Sequence, residues 1–150
     1  MVDKRINRQE ALSRVANIAR SREARAASEH RKCSDTLARS KAQLEQLDRF
    51  RAEYQARMQS MMADRSDPRR IQQYQRFLDG LASAVKHQND LVIQAGRDAQ
   101  HSWDALRQSS IRRASLDRLL QHRSSETARQ LNSLEQRLSD ESHSHHRSRD

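Results

Sequence analysis

Apolar residues recur along the chain at steps of three and four. A first track runs Leu12, Val15, Ala19, then Cys33, Leu37, Leu44, Leu47, Tyr54, Met58 and Met61. Filling the steps gives a seam over 12, 15, 19, 22, 26, 30, 33, 37, 40, 44, 47, 51, 54, 58 and 61. That is a heptad pattern with two consecutive four-residue steps near residue 26, where a supercoil should locally unwind. Asp3 or Asn7 can cap its start, and Asn7 with Glu10 has capping-box spacing. A second track reads Ile71, Leu78, Val85, Val92, Ala99, Leu106, Arg113 and Leu120, interleaved with Tyr74, Leu81, Gln88, Ala95, Ser102, Ser109 and Leu116. It then shifts by one four-residue step to Thr127, Leu131, Leu134 and Leu138. Gly80 and Gly96 lie off this seam.

One strong break separates the tracks, Ala63-Asp64-Arg65-Ser66-Asp67-Pro68, in which Asp67 suits an N-cap and Pro68 a first helical residue. A turn this short makes the two helices antiparallel neighbours. With Met61 facing Ile71, the numbers of facing residues add to about 132, which sets Val15 near Leu116 and Leu47 near Val85. Helix one should span ~90 Å and helix two ~105 Å at 1.5 Å per residue, so the second overhangs beyond residue 128 or so. The fold class expected is therefore all-α: a long antiparallel two-helix coiled coil, or helical hairpin, over residues 1–138 with its turn at about 63–68. Residues 139–150 (SDESHSHHRSRD) are expected to form a disordered polar tail.

Composition narrows the alternatives. The 150 residues include two Gly, one Pro and one Cys, with 34% hydrophobic, 33% charged and 3% aromatic side chains. Sheet folds need turns that so few Gly and Pro cannot supply, and a layered globular core lacks large apolar residues to fill it. No run of ~18 apolar residues exists to span a membrane, and the N-terminus shows no apolar stretch of a secretory signal. A lone Cys33 on the seam is read as a small apolar filler and fits a cytosolic compartment.

Net charge is +9, and all but four of the 29 basic residues are Arg. Residues 3–32 carry nine basic and four acidic side chains, and the facing segment 97–123 carries six and three. The surplus thus collects at the open end, whereas residues 35–64 balance at five against five. The bland reading is a solvated Arg-rich surface; the sharper one is an end that enters an acidic socket. Arg14, Arg20, Arg22 and Arg25 lie opposite Arg107, Arg112, Arg113 and Arg118, and nothing in folding is expected to require these eight. Catalysis is not expected: no phosphate loop, C-x-x-C, H-E-x-x-H or nucleophile elbow occurs. His143, His145 and His146 lack fixed geometry for a metal, so neither a metal nor another cofactor is expected.

The aromatics add a second candidate surface. Gln43, Leu47, Phe50 and Tyr54 share the spacing i, i+4, i+7, i+11 with Phe77, Leu81, Ala84 and Gln88. In the antiparallel register the two stripes adjoin. Either Phe50 and Phe77 widen the core against each other, or the stripes form a binding strip. Trp103, one step off the seam, is a wedge or an anchor in the same sense.

The segment from Gln43 to Tyr54, followed by Tyr74-Gln75-Arg76-Phe77-Leu78 and Leu81 to Ala84-Val85, resembles the FliJ family. The pattern Leu-x-x-Phe-x-x-x-Tyr before the turn and Tyr-x-x-Phe-x-x-x-Leu after it carries the resemblance, which covers roughly residues 5–135. It implies a soluble, cytoplasmic, non-catalytic helical hairpin of the flagellar type III export apparatus, peripheral to the inner membrane. The implied partners are the export ATPase ring and its regulator, the cytoplasmic domain of the export gate, and export chaperones. The family's gate-contacting strip maps onto Gln43, Leu47, Phe50, Tyr54, Phe77, Leu81 and Ala84. It usually ends in a His, where this chain has Gln88, with His87 one residue and ~100° of helix rotation earlier. The ATPase ring is assigned to the basic open end. Two other readings stay open: the equivalent component of a virulence secretion system, and a basic nucleic-acid-binding coiled coil. The few aromatics for base stacking and the lack of a parallel zipper weigh against the last. Neither a specific nucleic acid nor a small-molecule substrate is expected.

Overall fold

The structure, a computed structural model, describes residues 2–147. Helix α1 runs Val2–Ala63 and helix α2 runs Pro68–Arg147. The described residues contain no strand, and no helix among them is long and apolar enough to cross a membrane.

The break is built from two caps. Ser66 N–H donates to the Met61 carbonyl at 3.1 Å and Arg65 N–H to that of Met62 at 3.4 Å. These two bonds close α1 as a Schellman motif, which needs one residue in the left-handed region. Arg65 takes that place, at φ 51°, where glycine would carry no Cβ penalty. Asp67 then starts α2: its Oδ1 accepts from Arg69 N–H at 3.0 Å, and its carbonyl accepts from Arg70 and Ile71. Pro68 follows at the first helical position, where no amide hydrogen is needed.

By internal contacts the chain divides into two units: residues 26–106 around the turn, and residues 1–25 with 107–150. In the turn unit the half-buried and buried positions of α1 include 26, 30, 33, 37, 40, 44, 47, 51, 54, 58 and 61, with Ala27 and Asp48 beside them. Those of α2 include 71, 74, 78, 81, 85, 88, 92, 95, 99, 102 and 106, with Gly96 beside them. The evenly stepped series are the a and d positions of a heptad, with Tyr54, Leu47 and Leu81 at d, and the three extra residues each follow a d position. His30 meets Ser102 across the pair at 3.0 Å, so numbers adding to 132 face each other, as the sequence pattern expects. The most buried side chains here are Leu81, Gln88, Ala95, Ala99 and Ser102. Small residues let two backbones approach closely while burying little apolar area each.

The end unit corrects the expected seam. Ala16 and Ala19 are almost fully buried, whereas Val15 is 48% exposed. The lining positions are 12, 16, 19 and 23 on α1 against 109, 113, 116 and 120 on α2. Ala16 and Glu23 thus replace Val15 and Arg22, and the double four-residue step near residue 26 does not occur. An unbroken 3–4 alternation keeps every layer in register, and that outweighs burying one valine. Glu23 is acceptable there because Arg113, also on the seam, pairs with it.

Leu12 and Leu120 form the last half-buried layer; every described side chain of α2 from Gln121 to Ser142 is exposed. The next seam positions, Gln9 and Arg123, are polar, so the lining ends sooner than the expected overhang at 128. Helix α2 nevertheless continues through Arg147, into the segment expected to be disordered. No Gly or Pro follows Gly96, and an established helix adds one hydrogen bond per residue fixed. Likewise α1 is already helical from Val2, so Asn7 and Glu10 lie inside it rather than capping it. The side chains of Asp3, His143, His145 and His146 lie outside the described residues.

Candidate partner-binding surfaces

In the turn unit the expected strip falls on the d and g positions of both helices. On α1 these are Gln43, Leu47, Phe50 and Tyr54; on α2 they are Phe77, Leu81, Ala84 and Gln88. Phe50 and Phe77 sit at g and stay 42% and 49% exposed. The Phe77 ring lies against Tyr54 with centroids 4.6 Å apart and planes at 50°, and Tyr54 also meets Tyr74 at 6.0 Å. The Arg57 guanidinium stands 5.2 Å over the same Tyr54 ring. Tyr54 is therefore the half-buried floor of an aromatic patch whose outer wall is Phe77.

The far end of the strip is polar and closed. Gln88 Nε2 donates to the Ser40 carbonyl at 3.0 Å and to Gln43 Oε1 at 3.2 Å. Gln88 is buried and Leu81 nearly so, which makes both part of the seam, while Gln43, Ala84 and His87 are exposed. His87 is at c, away from the d and g flank, so the strip as folded ends on Gln88. The Gln88–Gln43 pair was not legible as a contact in the sequence, though both residues were on the stripe.

A second polar layer lies farther along the turn unit. Ser102 Oγ donates to the Ala99 carbonyl at 2.8 Å. Its single hydrogen is thereby used, and it accepts from His30 Nδ1–H at 3.0 Å. The His30 ring also meets Trp103 at 5.3 Å and 52°, while Trp103 keeps 48% exposure. Polar pairs at seam positions fix register, because a slip would leave them unpaired.

In the end unit the eight expected arginines divide into two classes. Arg20 bridges to Asp117 at 2.8 Å. Arg113 pairs with Glu23 across the helices and with Asp117 at 3.2 Å. The hydrogen bonds from Arg20 and then Arg113 hold the Asp117 carboxyl below the usual carboxylate range. The bond to Glu23, then that to Asp117, raises the already high Arg113 value. These two arginines knit α1 to α2, contrary to the expectation that none of the eight serves the fold. Glu23 and Asp117 were missed in the sequence; the signal was Asp117 four residues after Arg113, and Glu23 seven after Ala16. Arg14, Arg22, Arg25, Arg107, Arg112 and Arg118 are exposed and make no ion pair among the described residues. No group of three or more His, Cys, Asp or Glu that could hold a metal occurs among the described residues.

A family model, Flagellar FliJ protein, matches residues 8–150. The chain belongs to the FliJ family. Neither a curated protein nor a solved structure matches it. FliJ membership makes the chain a flagellar export component, and it favours the flagellar over the virulence reading. In this FliJ chain Phe50 and Phe77 stay 42% and 49% exposed, and six of the eight arginines are exposed with no ion pair among the described residues.

Proposed function

We propose that this FliJ-family protein is a non-catalytic helical adaptor of flagellar export with two separate docking surfaces. The six unpaired arginines of the end unit engage the export ATPase ring and promote its activity. The d and g strip around Phe50, Tyr54 and Phe77 engages the cytoplasmic domain of the export gate. Escort of export chaperones completes the reading, which places the protein in the cytoplasm against the inner-membrane apparatus.

The observation that carries the proposal is the division among the arginines. Two are consumed by Glu23 and Asp117, and six have no ion pair among the described residues. Like charges held together on a narrow helical pair are costly, and an acidic or carbonyl-lined surface offsets that cost. Long-range attraction also speeds encounter without locking the protein to one subunit. The test is reversal of Arg14, Arg22, Arg107 and Arg112 to Glu. Stimulation of the ATPase ring should be abolished and gate binding retained. Undiminished stimulation would make these charges mere solvating surface. If gate binding fell as well while helicity held, the two surfaces would not be separate.

A further inference from the structure

In the end unit exposed aliphatic residues and unpaired arginines share one flank. The lining positions 12, 16, 19 and 23 face 120, 116, 113 and 109, their numbers adding to 132. In an antiparallel pair the g positions of both helices then lie along one flank and the e positions along the other. The g positions are Val15 and Arg22 on α1 and Arg112 and Leu119 on α2, and the adjoining c positions include Ile18 and Arg25. Val15, Ile18 and Leu119 are 48%, 53% and 42% exposed. From 11 to 25 and from 107 to 123 no c or g position of either helix is acidic. The e and b flank is the reverse: it has no large apolar residue over the same stretch, and its Arg20 is paired with Asp117.

Across this flank Val15 stands opposite Leu119 and Arg22 opposite Arg112, the numbers adding to 134 in both pairs. Seven residues, ~10.5 Å along the helix, separate the aliphatic pair from the arginine pair. An acid at either 22 or 112 would join the helices, as Glu23 and Arg113 do one position further on. Two arginines there repel instead, so the flank is not arranged for the hairpin's own stability. An exposed aliphatic centre with a basic rim fits a protein surface that has an apolar centre and an acidic rim. The end unit contains no Trp, Tyr or Phe. It therefore lacks the rings that seat at a lipid headgroup boundary and those that stack on nucleic-acid bases.

We propose that this flank makes the close contact with the export ATPase, with Val15, Ile18 and Leu119 packed on an apolar surface whose acidic rim meets Arg22, Arg25 and Arg112. The proposal rests on the ATPase reading above and adds to it a side and an apolar centre. Arg14 and Arg118 point away from the seam at f, and Arg107 lies at b on the other flank. These three act through long-range charge.

The test follows association of the full chain with the purified export ATPase by surface plasmon resonance at physiological salt. Val15→Ser with Leu119→Ser keeps every charge. It should speed dissociation at least tenfold, about 1.4 kcal/mol, and leave the association rate within about twofold, because steering charge is untouched. Two further variants make one change in net charge on opposite flanks. Ala11→Glu with Ser115→Glu puts acid one turn from Val15 and Leu119, whereas Ala24→Glu with Gln121→Glu puts it at b on the other flank. The first should weaken binding at least tenfold and the second less than about threefold. All six residues are exposed, so circular dichroism should show unchanged helix content. Unchanged dissociation of the Ser variant, or equal losses from the two Glu pairs, would overturn the flank assignment and leave the ATPase reading standing. Binding that survives reversal of Arg14, Arg22, Arg107 and Arg112 would overturn both. ATPase binding intact in the Ser variant beside lost self-association on sedimentation, or beside lost binding to phosphatidylglycerol vesicles, would give the flank to a second copy or to a membrane.

Discussion

Replacing Phe50 and Phe77 together by Ala separates a binding patch from a core. Phe77 is 49% exposed. Burying a whole Phe stabilises by ~1.5–3 kcal/mol, so its buried half contributes ~1 kcal/mol. Its tilted contact with Tyr54, centroids 4.6 Å apart, adds ~0.5–1.5 kcal/mol. Phe50 is 42% exposed and has no ring contact among the described residues, so its loss costs ~1 kcal/mol. Alanine returns up to ~0.5 kcal/mol per site in helix propensity. The double variant should therefore lose ~2 kcal/mol. A core Phe→Ala would cost ~3–5 kcal/mol at each site. Urea unfolding followed by circular dichroism reads the difference, and a pull-down on the isolated gate domain reads the function. The account predicts a folded variant with nearly full helicity and weakened gate binding. A loss above ~6 kcal/mol, or a chain without cooperative unfolding, would show that the two rings are core. A stable variant with unchanged gate binding would refute the strip.

Three further outcomes follow from local geometry. Gly80→Ala should stabilise by ~1 kcal/mol, because an added Cβ meets nothing within 4 Å; a lowered melting temperature would contradict this. Arg65→Gly should raise stability by ~0.5–1 kcal/mol by relieving the left-handed backbone at φ 51°, and thermal unfolding at one scan rate checks the sign. Asp117 has a carboxyl depressed by Arg20 and then Arg113, so its share of stability is present above the ordinary carboxylate range. That share fades as pH falls through the lowered value. Asp117→Asn should lower stability at neutral pH and flatten the acid limb, and an acid limb identical to the natural chain's would refute the network.

Much of the fold was legible because one period governs it. From Ala26 to Met61 and from Ile71 to Leu120 the lining residues follow the heptads read from the chain, and Asp67-Pro68 marks the start of α2. The reading slipped where it followed side-chain apolarity instead of period. Val15 attracted the seam, but Ala16 keeps the 3–4 alternation and is buried to 1% exposure. Glu23 was passed over because a carboxylate on a seam is costly unless paired, and its partner Arg113 lies 90 residues away. The strip showed the reverse pattern. Its spacing was visible in the sequence, but the split into exposed Phe50 and Phe77 and buried Leu81 and Gln88 depends on how far each side chain turns toward the facing helix. The spacing already placed Gln88 rather than His87 on the flank, but its bonds to the Ser40 carbonyl and to Gln43 join residues 48 and 45 positions apart, and no local pattern encodes them.

The central claim, that unpaired arginines of the end unit meet an anionic surface on the export ATPase, is tested most directly by salt. Affinity of the full chain for the purified ATPase should be measured from low to physiological ionic strength, beside the variant with Arg14, Arg22, Arg107 and Arg112 changed to Glu. Screening acts within ~10 Å at 0.1 M salt, so the account predicts a steep fall for the natural chain and little binding by the variant at any salt. An affinity that is independent of salt, or that the four reversals leave intact, would contradict it.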